Sequence, residues 1–247
     1  MKSTERHKLK GNDFAASVAR ARAVITDRSR EVTTTVIVIV VAVVLVGGFF
    51  GWRASRDAKA TDLLANALAV AEAPVVAPPP PAPGSPPPVQ QPGTFRTERD
   101  RLEAALPRLL EAADKYPNTD AGVTARYRAA GVLAELGRYA EAEQRYQQVI
   151  DKAGRSSIYG RTARLGAANA QLAQGKNDAA VATLKELSTD SNSQLPLDGV
   201  LMQLGRAYLQ AGKKDEATRA FTRVVDEFPQ SLYASEAKDK IQELKKA

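Results

Sequence analysis

The sequence predicts an all-α protein in which helical hairpins stack into a solenoid behind one transmembrane helix. Three glycines, Gly137, Gly175 and Gly212, recur 38 and 37 residues apart, each between stretches with apolar residues at helical spacing. Residues 32–52 contain no charged residue. Residues 74–92 hold ten of the 14 prolines and separate the apolar run from the glycine-marked repeats.

The N-terminal residues 1–31 are predicted to be a basic cytoplasmic tail, because they hold eight Lys and Arg against four acidic residues. Phe14, Val18, Ala21 and Ile25 recur at helical spacing. The tail is therefore either an amphipathic helix on the anionic membrane surface or an ordinary flanking segment whose charges set the topology.

Residues 32–52 are predicted to form a transmembrane helix, since 21 residues at 1.5 Å each span about 31 Å. The run is too long for a cleaved signal peptide, which indicates an uncleaved signal anchor. Fewer basic residues follow the run than precede it, so we expect the N-terminus in the cytoplasm. Gly47 and Gly51 form a GxxxG pair, which is either a weak homodimer face or a chance spacing.

Residues 53–73 are rich in helix formers and are predicted to extend this helix, and residues 74–93 form a Pro-rich insertion or linker. Residues 97–117 have the pattern of the second helix of a hairpin. Our hypothesis is that residues 57–73 supply its first helix, with the Pro-rich residues inserted in the turn. The alternative is a free linker. Pro107 is expected to kink the helix at 97–117.

The hairpin at residues 198–229 is the most regular. Apolar residues line one face of each of two helices, namely Leu201, Leu204 and Tyr208, then Ala217, Phe221 and Val224. Gly205 and Ala217 are small enough for the helix axes to approach closely. Gly212 allows the turn between the helices, and Pro229 ends the second one.

This 34-residue pattern resembles the tetratricopeptide repeat (TPR). Residues 123–153 and 161–188 carry it less completely, with Arg126 and Arg164 where a large apolar residue is expected. Residues 232–246, with Ser231 as the expected N-cap, are predicted to cover the last hairpin, as the end of a solenoid requires. Residues 94–247 would then form one TPR-like domain.

The TPR resemblance implies that the first helix of each hairpin lines a groove for protein segments. The repeat positions that face this groove correspond to Tyr127, Glu135, Leu165, Asn169, Leu172, Met202, Arg206, Leu209 and Gln210. Apolar anchors with a few polar groups suit extended or helical peptides. The alternative is that some of these side chains pack against one another or against the terminal helix.

The composition argues against several functional classes. The chain has no Cys and a single His, His7, so neither a thiolate site nor a His-based triad or metal cage can be assembled within one chain. We predict no enzyme activity, cofactor or metal. Residues 94–247 hold 24 basic against 21 acidic residues, so no nucleic-acid partner is expected.

A basic tail, one membrane helix ending in Gly-Trp-Arg, a short helix and a TPR-like domain resemble the layout of YfgM-like ancillary subunits of the SecYEG translocon. That resemblance implies an inner-membrane protein with a periplasmic TPR domain. Its implied role is to assist newly translocated polypeptides, with translocon subunits and a periplasmic chaperone as partners. The stretch Phe228–Lys238 also looks like TPR modules of envelope assembly and cell division, so a scaffold for that machinery is the alternative.

Overall fold

The structure is a computed structural model that describes residues 16–19, 29–78, 90–190 and 192–246. Its contacts divide the chain into two units, residues 1–55 and 56–247. Residues 16–19 form a helical turn, and helix α1 runs over Ser29–Ala71. Most of the amphipathic pattern predicted for the tail, including Phe14, Ala21 and Ile25, lies outside the described residues.

Among the described residues, one segment is long and apolar enough to cross a membrane, Thr33–Ala71. The large apolar side chains from Val36 to Val46 are each at least 50 % exposed, so no part of the chain that the structure describes covers them. The hydroxyls of Thr34 and Thr35 donate to carbonyls four residues earlier, at 2.8 Å each, and are satisfied within the helix. By length and composition this segment is compatible with a single-pass anchor.

The GxxxG pair in this helix has open surroundings. A Cβ atom added at Gly47 or Gly51 would meet nothing within 4 Å. The helix surface there is free of contacts from the described chain, and packing of two helices at this face stays a prediction.

The C-terminal unit continues with helices that follow one another closely along the chain. In order they are α2 (Glu98–Lys115), α3 (Asp120–Glu135), α4 (Tyr139–Ala153), α5 (Ile158–Ala173), α6 (Asn177–Thr189), α7 (Leu197–Gln210), α8 (Lys214–Glu227) and α9 (Ala234–Lys246). From α2 onward each helix packs on the next one, and the first helices of neighbouring hairpins also touch, α3 with α5 and α5 with α7. The prediction of an all-α stack of helical hairpins is confirmed.

The three turn glycines end the first helix of each hairpin in the same way. Gly137, Gly175 and Gly212 have φ of +79°, +76° and +72°, which other residues rarely adopt. The N–H groups of the residues that follow them donate to carbonyls five residues earlier, at 2.8–2.9 Å: Arg138 to Leu133, Lys176 to Gln171 and Lys213 to Tyr208. This is the Schellman arrangement, and it sets where each hairpin turns.

Side-chain caps start several of these helices. The hydroxyls of Thr97, Thr119 and Ser157 accept hydrogen bonds from the N–H three residues later, at 3.1, 3.0 and 2.9 Å. The terminal helix differs from the prediction: it begins at Ala234, not at residue 232. The chain first makes a turn at Ser231, whose hydroxyl accepts from the Tyr233 N–H at 3.1 Å and donates to Asp198 at 2.6 Å.

The end of α1 packs on α2. Ala67 is fully buried and shares one apolar cluster with Leu102, Leu106 and Leu109. The Arg56 guanidinium lies 5.8 Å from the centre of the Tyr116 ring. The hypothesis of a first hairpin requires these two helices to lie side by side, and it stays a prediction.

The two ends of the Pro-rich stretch are held together. The Val76 N–H donates to the Phe95 carbonyl at 2.8 Å, and the Phe95 N–H donates to the Pro74 carbonyl at 3.0 Å, forming an isolated parallel bridge. A linker that separates freely at its ends would not make these bonds. That the stretch is an insertion within a first TPR unit remains our proposal.

Candidate functional site

The predicted groove residues fall into two groups by exposure. Leu172 and Met202 are buried, with 9 % and 1 % of their surface exposed. The remaining seven are half-buried or exposed: Tyr127, Glu135, Leu165, Asn169, Arg206, Leu209 and Gln210. Whether any of them contacts a ligand stays a prediction.

At the third hairpin the terminal helix α9 packs against three of the four predicted groove positions, and Gln210 stays exposed. Met202 and Leu209 pack in one cluster with Ala237, Ile241 and Leu244 of α9. The Arg206 guanidinium contacts both carboxylate oxygens of Glu236, at 2.7 and 2.9 Å. This end of the groove is therefore filled by the chain itself.

The other end of the groove is open. A cavity of about 370 Å³ lies between the end of α1, α2 and α3, and Tyr127 and Glu135 both line it. Leu68, Leu102, Leu109 and Val132 supply apolar wall, and Tyr146 of α4 also lines the cavity. The volume is within the range of pockets that hold small groups, about 300–1,000 Å³.

Gly131 leaves room in this cavity. It lies on α3 between Tyr127 and Glu135, one helical turn from each, and it lines the cavity. A Cβ added at Gly131 would have only the Tyr146 hydroxyl oxygen nearby, at 3.8 Å. A Cβ at this position meets no backbone of a neighbouring helix within 4 Å.

Tyr146 is held in place by its neighbours. It is 7 % exposed, its ring centre lies 5.8 Å from that of Tyr127, and Tyr127 in turn lies 6.3 Å from Tyr159. Burial, with smaller contributions from Tyr127 and Glu135, raises the pKa of Tyr146 to about 12. Its hydroxyl therefore keeps its proton at neutral pH.

The rim of the cavity carries charge of both signs. Arg101 pairs with Glu98 and donates to the Ala73 carbonyl at 3.3 Å, while its buried Nε has no hydrogen-bond partner among the described residues. Three exposed lining residues, Glu72, Arg128 and Glu135, make no side-chain hydrogen bond or ion pair within the part of the chain that the structure describes.

A second cavity, of about 420 Å³, lies at the loops that join successive hairpins. Pro117, Lys152 and Tyr159 are among its lining residues. None of the predicted groove residues lines it. In the described ranges, no three His, Asp or Glu side chains are grouped so that they could hold a metal ion.

The residues predicted to set the repeat geometry lie inside the stack. Phe221 and Ala217 are fully buried, and a Cβ at Gly205 would fall 2.4 Å from the Phe221 ring. Leu204 and the half-buried Tyr208 pack against the preceding hairpin. Pro229 follows the end of α8 at Glu227.

The sequence interpretation missed two structural features. Arg126 and Arg164, which depart from the repeat pattern, are buried and have specific partners. Arg126 donates to the Ala113 carbonyl at 2.7 Å, and Arg164 pairs with Glu186. Gly166 was also overlooked, although a Cβ there would lie 2.4 Å from the Tyr146 ring. Its signal in the sequence is a small residue on the helix that follows Tyr146.

Comparison with known proteins agrees with this architecture. The sequence model of the family described as Tetratricopeptide repeat-like domain matches residues 30–246. Among solved structures, nearly identical TPR-like repeats from Podosopora anserina show 17 % identity and a TM-score of 0.50, covering 60 % of this chain and 84 % of that chain.

Two other structures are similar at comparable levels. A tetratricopeptide repeat protein from Parabacteroides merdae shows 15 % identity and a TM-score of 0.49. The match covers 60 % of this chain and only 56 % of the length of that protein. MamA from Desulfovibrio magneticus RS-1 shows 20 % identity and a TM-score of 0.46, covering 60 % of this chain and 88 % of that chain. No curated protein matches the chain. Because the family match spans most of the sequence, the chain belongs to the tetratricopeptide repeat-like domain family.

Proposed function

We propose that this protein is a non-enzymatic, membrane-anchored module that holds segments of other polypeptides in the groove of its helical stack. A TPR-like domain is a protein-interaction module. One observation supports the proposal most. The same chain carries an apolar helical segment, Thr33–Ala71, whose large side chains from Val36 to Val46 are exposed, and an open cavity on the first-helix face of the stack.

The finer assignment rests on the layout of the sequence. Its resemblance to YfgM-like translocon subunits supports a role beside the translocon of the bacterial inner membrane, with the N-terminus cytoplasmic and the TPR-like unit periplasmic. Newly translocated polypeptides, translocon subunits and a periplasmic chaperone are the proposed partners. The excess of basic residues before the apolar run supports this orientation.

Topology and crosslinking test the proposal together. A reporter that is active only outside the cytoplasm, fused after Lys246, should be active, and the same reporter fused before the apolar run should not. Crosslinking in intact membranes, followed by purification of the full-length protein, should recover translocon subunits and nascent chains.

Other results would decide against this role. A cytoplasmic C-terminus would overturn the proposal, since the groove could not reach translocated chains. Recovery of outer-membrane assembly or cell-division proteins, without translocon subunits, would support the alternative role as a scaffold.

A further inference from the structure

The cavity at the open end of the groove has a polar group at its base. Tyr146 is more than nine-tenths buried, and its hydroxyl has no hydrogen-bond partner in the described ranges, although it lines the cavity. The position of a Cβ at Gly131 lies 3.8 Å from this hydroxyl oxygen, so the hydroxyl faces space that a side chain at Gly131 would fill. A hydroxyl that lines a cavity and has no partner in the described part of the chain is free to donate to an incoming acceptor.

The walls of the cavity and its rim restrict what that ligand can be. Leu68, Leu102, Leu109 and Val132 give the walls an apolar surface. The lining holds two carboxylates, Glu72 and Glu135, and two guanidiniums, Arg101 and Arg128, and the charge of Arg101 is balanced by Glu98 beside the cavity. Counted with Glu98, the cavity and its rim carry one more acidic than basic side chain. The rim therefore favours a segment that is neutral or basic over an acidic one.

We propose that this cavity receives one apolar side chain of an extended polypeptide segment with basic residues on either side. The Tyr146 hydroxyl donates a hydrogen bond to a main-chain carbonyl of the segment, and Glu72 and Glu135 attract its basic side chains. The inference rests on the proposed function and deepens it, because it names the part of the groove that binds and the class of segment bound. The opposite end of the groove is filled by α9 and takes no part.

Peptide binding to the full-length protein tests this site. The protein is placed in nanodiscs of zwitterionic lipid, and empty nanodiscs give the background. Three fluorescein-labelled octapeptides are compared: one alternates Leu with Lys, one Leu with Glu, and one Ser with Lys. Each is titrated with the protein in nanodiscs, and binding is followed by fluorescence anisotropy. The Leu–Lys peptide should bind at least about tenfold more tightly than either of the others.

Variants at the cavity separate occupancy from folding. Gly131→Trp and Gly131→Leu should each weaken binding of the Leu–Lys peptide by about tenfold or more, whereas Gly131→Ala should change it by less than about twofold. The double variant Glu72→Gln with Glu135→Gln should bring the Leu–Lys and Leu–Glu affinities close together. Tyr146→Phe should weaken both peptides equally, since it removes only the donor. Circular dichroism of each variant checks that the stack is intact.

The outcomes distinguish this site from the broader function. If Gly131→Trp and Gly131→Leu fold and bind like wild type, the site is wrong. If Asn169→Trp, on the next hairpin, then abolishes binding, the groove function stands and only the site fails. Equal affinity for Leu–Lys and Leu–Glu peptides would overturn the basic preference. Absence of binding by all peptides, together with absence of crosslinked polypeptides in membranes, would overturn both proposals.

Discussion

Adding one methyl group at Gly205 should destabilise the protein, although alanine is the better helix former. The new Cβ would lie 2.4 Å from one carbon of the Phe221 ring and 2.7 Å from two others. Non-bonded carbons prefer about 3.5–4.0 Å, so the ring or the helix must move by roughly 1 Å. Phe221 is fully buried among Leu201, Val224 and Ala237, so it has little room to yield.

The magnitude follows from two opposing terms. Overpacking of a filled core costs about 1–3 kcal/mol, and replacing a helical Gly by Ala gains about 0.5–1 kcal/mol. Because the Phe221 ring beside Gly205 is enclosed, we expect a cost of about 2–3 kcal/mol and a net loss of about 1–2.5 kcal/mol. For a domain of roughly 150–250 residues, this lowers Tm by about 2–10 °C.

Gly131→Ala is the matched control. Its Cβ would meet only the Tyr146 oxygen at 3.8 Å, so the helix-propensity gain of about 0.5–1 kcal/mol should appear alone and raise Tm by about 1–4 °C. Thermal unfolding in detergent, followed by circular dichroism at 222 nm, compares both variants with wild type.

A double variant tests whether the two sites are in contact. Phe221→Leu should reduce the free energy of unfolding less in the Gly205→Ala background than in wild type, because the two sites are in contact.

The packing argument would fail if Gly205→Ala melted at or above the wild-type temperature. It would also fail if the Phe221→Leu and Gly205→Ala effects simply added, since contact between the methyl and the ring predicts coupling. Equal changes in Tm for Gly205→Ala and Gly131→Ala would mean that the space between the helices does not limit substitution at either site.

Three further outcomes are expected. Burial alone would raise the pKa of Glu143, but hydrogen bonds from Lys176 and two glutamines lower it overall. The ionised carboxylate therefore stabilises the folded protein fully above the ordinary pKa of 4.5, and this stabilisation is lost as the pH falls through the lowered pKa. Urea unfolding should therefore show a larger loss from pH 6 to pH 3.5 for wild type than for Glu143→Gln; equal losses would contradict this. Thr119→Ala should cost about 1 kcal/mol in the same assay, because it removes the acceptor for the Gly122 N–H, and an unchanged midpoint would argue against that cap. The protein should stay with membranes after alkaline carbonate extraction because of Thr33–Ala71, whereas release to the supernatant would contradict an integral anchor.

Features that depend on nearby residues could be predicted from the sequence. The left-handed conformation at Gly137, Gly175 and Gly212 is a local requirement of a helix end, so spacing alone located three hairpin turns. The small residue at Gly205, within a stripe of large apolar residues, predicts a close approach of the two helices of the last hairpin. The short distance between a Cβ at Gly205 and the Phe221 ring agrees with this prediction. These features need no knowledge of distant neighbours.

Features that depend on the neighbouring hairpin or the terminal helix were not predictable in the same way. Met202 follows the groove spacing, yet α9 covers it, because a repeat pattern does not record what lies against the last repeat. Arg126 looks unfavourable at an apolar position until the Ala113 carbonyl of the preceding helix is placed 2.7 Å away. The cavity beside Gly131 was overlooked because a missing side chain gives no apolar signal.

The central claim is that the open groove of a membrane-anchored stack holds other polypeptides, and site-specific crosslinking tests it most directly. A photo-reactive residue at Glu135, exposed beside the cavity, is compared in intact cells with one at Gln144, exposed on the second helix of the same hairpin. We predict polypeptide adducts from position 135 and few from position 144. Equal adducts from both positions, or adducts from position 144 alone, would contradict the account.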